Sequence, residues 1–293
     1  MAIDKGAASL LLDLKKYLNF HGTVCQLGRQ EMLFDKIIFK DLIKKFKLDF
    51  KLELNDHNLK IDDRFFFKSL GFDNVVAADV SNYENAEYVF NLNNEVDNSL
   101  KEKFDFIYDG GTLEHVFNFP MALKNILKIV KKNGYIIHFS PANNLVDHGF
   151  YMFSPTAYHD FYSNNNFEII KSCIVEVPKY FHNGKIKIYN YEPGLIDHLS
   201  YGGFGSKILL NWFVIKKSHD TDVKFDFSQT LYKNYWKETK SEDLNQPRNK
   251  ISIIKKFIKS KKSIYRFLIK MLILKIILKK IISKKKLKHD AEF

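Results

Sequence analysis

Residues 103–116 read KFDFIYDGGTLEHV. Lys103–Tyr108 is a short, mostly apolar and aromatic run, and Asp109-Gly110-Gly111 closes it, the form of a buried strand passing into a turn. Downstream, residues 113–131 predict a helix and Gly134–Phe139 (GYIIHF) the next strand. Upstream, three further runs end in the same way: Thr23–Gly28 (TVCQLG) at its glycine, Asn74–Ala78 (NVVAA) at Asp79, and Glu87–Phe90 at Asn91. Helical spacing separates them. Residues 7–19 place Leu10, Leu11, Leu14 and Leu18 on one face, residues 32–47 place Leu33, Ile37, Ile38, Leu42, Ile43 and Phe46 on another, and residues 62–70 stop at Gly71. Apolar strands alternating with amphipathic helices require a parallel sheet sandwiched between helices.

Past this repeat, residues 155–165 predict a helix, with Ser154 and Pro155 as its opening residues. Phe167–Val177 and Lys207–Lys217 predict two strong strands, a pair that fits an antiparallel hairpin at the sheet edge. The connection over 178–206, at about 29 residues, is too long for a tight hairpin. It carries Tyr180, Phe181, His182, Tyr189 and Tyr191, and is expected to cover an acceptor.

The chain has 293 residues, 45% of them hydrophobic, with 27 Phe and 15 Tyr, enough to bury a core and too apolar for a disordered chain. Cys25 and Cys173 are its two cysteines; they form no disulfide framework, which with the lack of a secretory leader pattern favours a cytoplasmic setting. The net charge of +12 is unevenly placed. Residues 250–288 hold 14 Lys and one Arg without an acid; Asp290 and Glu292 subtract two, so residues 1–249 come to −1. A near-neutral body weakens a nucleic-acid reading. The organisation expected is a domain over 1–240 and a basic helical tail over 241–293. The tail interleaves Ile, Leu and Phe with lysines too often for a membrane span; it suits a helix at the inner, anionic membrane surface, or one packed on the body or on a second copy in a homo-oligomer.

In an open parallel sheet, ligands sit beyond the carboxyl ends of the strands. Those ends supply Gly28, Asp79, Asn91 or Asn93, Asp109, and the run Ser140-Pro141-Ala142-Asn143-Asn144. Glycine admits a close backbone approach, and an acid at Asp79 can accept hydrogen bonds from both hydroxyls of a ribose.

On these residues the chain resembles the type 11 branch of class I S-adenosylmethionine-dependent methyltransferases, over roughly residues 20–217. Asp79-Val80-Ser81 resembles that family's acidic end of strand two, Phe104–Val116 its strand-four signature, and Asn133-Gly134-Tyr135 the turn before strand five. The resemblance implies a Rossmann-like three-layer sandwich with a mostly parallel, seven-stranded sheet and S-adenosylmethionine as cofactor. It implies that Gly28 lies under the methionine part, that Asp79 binds the ribose, that Asn91 and Asn93 flank the adenine, and that Asp109 and Gly110 begin the loop facing the sulfonium. The chain departs from the family in its first loop. Gln26-Leu27-Gly28-Arg29 lacks two glycines, Gln26 stands where an acid is expected, and Arg29 is then the partner expected for the cofactor carboxylate.

The densest polar and aromatic cluster follows strand five, at Asp147-His148-Gly149-Phe150-Tyr151-Met152-Phe153. It reads either as a loop leading into the next helix or as a substrate wall, with His148 as general base, Asp147 orienting it, His115 nearby, and Asn143, Asn144, Tyr151 and Phe153 as acceptor contacts. His115, Asp147 and His148 could approach a divalent ion, but no ligand spacing demands one. The reading is a methyltransferase acting on an oxygen, with a sugar in a glycan or lipid-linked intermediate suggested by tail and aromatics. The rivals are an enzyme for a nitrogen, sulfur or carbon nucleophile of a small metabolite, and a non-catalytic scaffold.

Overall fold

The computed structural model describes residues 2–49, 59–178, 185–200, 202–220 and 222–242, together with 270, 271, 273–275, 278, 291 and 292. They form two compact units, one of Met1–Tyr191, Ser206–Phe225 and His289–Phe293, the other of Glu192–Gly205 and Asp226–Lys288.

In the first unit, β1 (Ala2–Ile3) leads into α1 (Lys5–Leu14). The Asp4 carboxylate accepts the Ala7 N–H at 2.8 Å, satisfying one of the donors that a helix start leaves without an internal partner. β2 (Thr23–Leu27) is followed by β3 (Glu31–Met32), which pairs with β1 as a separate two-stranded sheet. α2 (Lys36–Phe46) and α3 (Asp63–Leu70) begin on Asp35 and Asp62, whose carboxylates accept the Ile38 and Phe65 N–H groups at 2.9 and 2.7 Å. The helical pattern over 32–47 therefore starts at Lys36: Met32 belongs to a strand and Asp35 is the cap. β4 (Asn74–Asp79), β5 (Tyr88–Val89) and β6 (Phe104–Asp109) come next.

The single helix expected over 113–131 is divided. Leu113–His115 is one 3₁₀ turn, and α4 (Phe119–Ile129) starts afresh behind Asn118, whose side chain accepts the Met121 N–H at 3.4 Å. Pro120 explains the break, because a residue without an N–H is tolerated only in the first turn of a helix. β7 (Val130–Asn143), α5 (Pro155–Asn164), β8 (Glu168–Val177), β9 (Lys187–Asn190), β10 (Ile208–Lys216) and β11 (Ala291–Glu292) complete the unit.

The main sheet runs β11-β9-β8-β10-β7-β6-β2-β4-β5. From β7 to β5 it is parallel; β10 lies antiparallel between β7 and β8, and β9 and β11 add antiparallel strands beyond. The expected Rossmann-like sandwich is present, with nine strands in this sheet among the described residues in place of seven. The β8/β10 pair is not the edge, since the 178–206 connection itself contributes β9. The burial of β10 gives the physical reason: ILLNWFVI is buried residue after residue, which suits an interior strand with neighbours on both sides. Leu10, Leu42 and Phe66 of α1–α3 join Val24, Phe106 and Val214 in one core on one face. Tyr158 of α5 packs on the other face, 5.5 Å from Phe213.

The second unit contains the turn Asp197–Leu199 and α6 (Thr230–Glu242), on which the Tyr232 ring lies 6.3 Å from those of Tyr235 and Trp236, three and four residues on. The described positions of 270–278 are helical. Most of the 241–293 tail, and with it the expected interfacial helix, lies outside the described residues. Among the described residues no helix is long and apolar enough to cross a membrane.

Candidate active site

The ends of β2 and β4 build the first cavity, of about 290 Å³. Gly28, at φ 73°, turns the chain at the end of β2 and donates its N–H to the Ala78 carbonyl at 2.7 Å, which ties the two strand ends together. Asp79, Asn91 and Asn93 join Gly28 in the lining, with Val80, Phe90, Leu92 and Val116 as apolar walls. Four residues expected at a cofactor are thus brought together. Asn91 Oδ1 accepts the Asn93 N–H at 2.9 Å, and Asn93 Oδ1 accepts the Asn118 N–H at 2.8 Å, so each side chain also shapes the wall.

Gln26 and Arg29 do not line this cavity. Gln26 is fully buried and donates to Asp63 Oδ2 at 2.6 Å. The Arg29 guanidinium is held by Asp63 at 2.9 Å, by Glu87 at 2.8 Å and by the Glu84 and Asn85 carbonyls. Its donors are committed inside the protein, to an acid that α3 supplies. Burial raises the Glu87 carboxyl, but the Ala77 N–H, Arg29 and Arg64 outweigh it and hold the group down at about 2.

Asp109 points inward from the end of β6. Its Oδ2 lies 2.7 Å from His138 Nδ1, while Oδ1 accepts the N–H groups of Thr112 at 3.0 Å and Leu113 at 3.3 Å. A carboxylate can only accept, so Nδ1 donates to it; Nε2 lies 2.7 Å from the Tyr162 hydroxyl. All three side chains are buried. Asp109 thereby fixes the turn that presents Gly110, rather than facing a ligand itself.

Beyond that turn lies a second cavity of about 450 Å³. Its body is apolar, lined by Leu33, Phe139, Leu145, Val175, Val177 and Leu210; its polar end is formed by Gly110, Glu114, His115, Ser140 and His148. His115 lines both cavities. The rings of His115 and His148 are 5.2 Å apart, and His148 Nε2 lies 3.9 Å from Glu114 Oε1. Glu114 is 1% exposed, and its Oε2 has no hydrogen-bond partner among the described residues. Burial, reinforced by the charge of Asp109, pushes its carboxyl up to about 8; burial, and then His148, lowers His115 below the ordinary histidine value.

The acid facing His148 is Glu114, whereas Asp147 was the expected orienting residue. Asp147 occupies a left-handed turn position at φ 67°. The expected acceptor contacts have structural partners. Asn143 ends β7 opposite Leu209, Asn144 donates to the Lys207 carbonyl at 2.7 Å, the Tyr151 hydroxyl donates to the Phe117 carbonyl at 2.7 Å, and buried Phe153 packs 4.3 Å from Phe119. Glu114, Asp63 and His138 are the residues that sequence reasoning passed over. Of these only Glu114, next to His115 in the strand-four signature, had a local signal.

Residues 63–172, from α3 into β8, match the family model described as a methyltransferase domain. No curated protein matches the chain. Among solved structures, the chain is similar to 1,6-didemethyltoxoflavin-N1-methyltransferase of Burkholderia thailandensis, determined with 1,6-didemethyltoxoflavin and S-adenosylhomocysteine, at 13% identity and TM-score 0.40 over 73% of this chain and 80% of that one. A SAM-dependent methyltransferase of Thermotoga maritima is similar at 18% identity and TM-score 0.35, over 73% and 90%.

Proposed function

We propose that the chain transfers the methyl group of S-adenosylmethionine to a small acceptor with an apolar body. The observation that carries this reading is that two cavities of different chemistry meet at His115.

The smaller cavity fits the nucleoside end of the cofactor. The Asp79 carboxylate is placed to accept from both ribose hydroxyls, and Val80, Phe90, Leu92 and Val116 offer apolar surface to the adenine. Gly28 leaves room for the backbone to approach. The ammonium of the methionine arm needs an acceptor. Gln30 Oε1 is buried without a partner among the described residues, beside Gly28, whose carbonyl accepts from Gln30 Nε2 at 3.2 Å. When bound, the cofactor supplies an electrophilic methyl group on its sulfonium.

The larger cavity holds the acceptor. Its apolar walls take the body, while Glu114, His115, Ser140 and His148 orient the reacting atom toward the shared boundary, and positioning is the main requirement of an in-line displacement. A glycan fits this chamber less well, because Leu33, Val175, Val177 and Leu210 offer sugar hydroxyls no hydrogen-bond partners.

Calorimetric titration of S-adenosylhomocysteine into the full chain tests the reading. Saturable binding is expected, weakened roughly tenfold or more in Asp79→Ala, the loss expected when charge-assisted hydrogen bonds are removed. A folded protein that does not bind it would overturn the enzyme reading and leave a scaffold that keeps only the fold.

A further inference from the structure

The geometry points to a divalent-cation site formed by Glu114, His115 and His148 at the polar end of the larger cavity. One ligand atom from each residue lies within 4.8 Å of the others. Ligands sharing one ion sit roughly 3 to 3.5 Å apart, given metal–ligand bonds of about 2.1 Å. Closing the difference takes a side-chain rotation of His148, which is half-exposed.

Two observations make this more than proximity. Glu114 lines the cavity, and its Oε2 is buried without a hydrogen-bond partner among the described residues, a costly arrangement that a cation would relieve. The loop carrying His148 is also pressed onto Glu114 from outside. The Tyr151 N–H donates to the Glu114 carbonyl at 3.2 Å, and a side chain at Gly149 would place its Cβ 2.8 Å from that same oxygen. Only glycine lets the two segments come this close, and their approach brings the third ligand to the other two.

Two imidazoles and one carboxylate select a first-row transition ion such as Zn²⁺ or Co²⁺ over Mg²⁺ or Ca²⁺, which prefer all-oxygen sets. Three protein ligands leave coordination positions open toward the cavity, the arrangement of sites that bind a further ligand. Resting on the methyl-transfer reading, the occupant of those positions is an acceptor with an oxygen or nitrogen donor beside its apolar body.

The test is titration of Co²⁺ into metal-stripped, full-length protein, followed by cobalt visible absorption and by Zn²⁺ competition, without cofactor. One Co²⁺ per chain is expected. His148→Ala and Glu114→Gln should each weaken binding at least about tenfold, and His148→Ala should keep its S-adenosylhomocysteine affinity, which shows it folded. Absence of a saturable cobalt spectrum, or equal binding by the parent and both variants, overturns the site. Cobalt binding without S-adenosylhomocysteine binding would sustain the site and overturn the methyl-transfer reading instead.

Discussion

His138 Nδ1 lies 2.7 Å from Asp109 Oδ2, with both residues wholly shielded from water. This pair joins the end of β6 to the middle of β7, adjacent parallel strands in register at these two residues, and holds the turn between the cavities. Removing one partner strands the other in a medium of low polarity. His138→Phe is therefore expected to cost roughly 3–5 kcal/mol in urea denaturation, and Tyr162→Phe only about 1 kcal/mol. A near-neutral His138→Phe would show that the pair is dispensable.

Glu87 links acid stability to the Arg29 network. Its folded value of about 2 lies below the ordinary 4.5, so between these limits the unfolded chain binds the extra proton. Its contribution is complete above about 4.5 and disappears as the pH falls toward 2. Denaturation across that window should show a slope of at most roughly 1.4 kcal/mol per pH unit from this group, reduced by solvent screening at a half-exposed site. In Glu87→Gln that part of the slope should vanish, while an unchanged profile would assign the acid sensitivity elsewhere.

Leu210 lines the larger cavity and is absent from the smaller one. Leu210→Trp should fill the chamber at a stability cost of about 1–3 kcal/mol. S-adenosylhomocysteine affinity should stay as in the parent, while methyl transfer, measured with whichever acceptor a compound screen identifies, should fall by at least about tenfold. Undiminished methyl transfer would place the acceptor outside this cavity.

The charge run over 250–288 predicts binding of the full chain to vesicles containing phosphatidylserine and none to neutral ones. Co-sedimentation should drop steeply as salt rises from roughly 0.05 to 0.5 M, because screening shortens the reach of the lysines. Equal binding to both vesicle types would leave the tail without an electrostatic membrane role.

The strands were legible in the sequence because a strand buried on both faces must be an apolar run, and its exit must be a turn residue: Gly28, Asp79, Asn91 and Asp109 punctuate β2, β4, β5 and β6. Parallel order then forces those ends onto one side of the sheet, so the meeting of Gly28, Asp79, Asn91 and Asn93 followed from spacing alone. Pro120 also carried a local signal, and it overrode the longer helical periodicity around it. Side-chain direction was another matter. Arg29 follows Gly28 in the chain, yet its partners Asp63 and Glu87 come from α3 and from the entry to β5. Asp109 faces His138 because β6 and β7 are in register there, and Glu114 meets His148 because the glycine of a distant loop lets two backbones touch. Local spacing decides where a residue lies along a strand or helix; the low polarity of the interior decides where its charge points, since a buried charge must find a partner wherever the fold brings one.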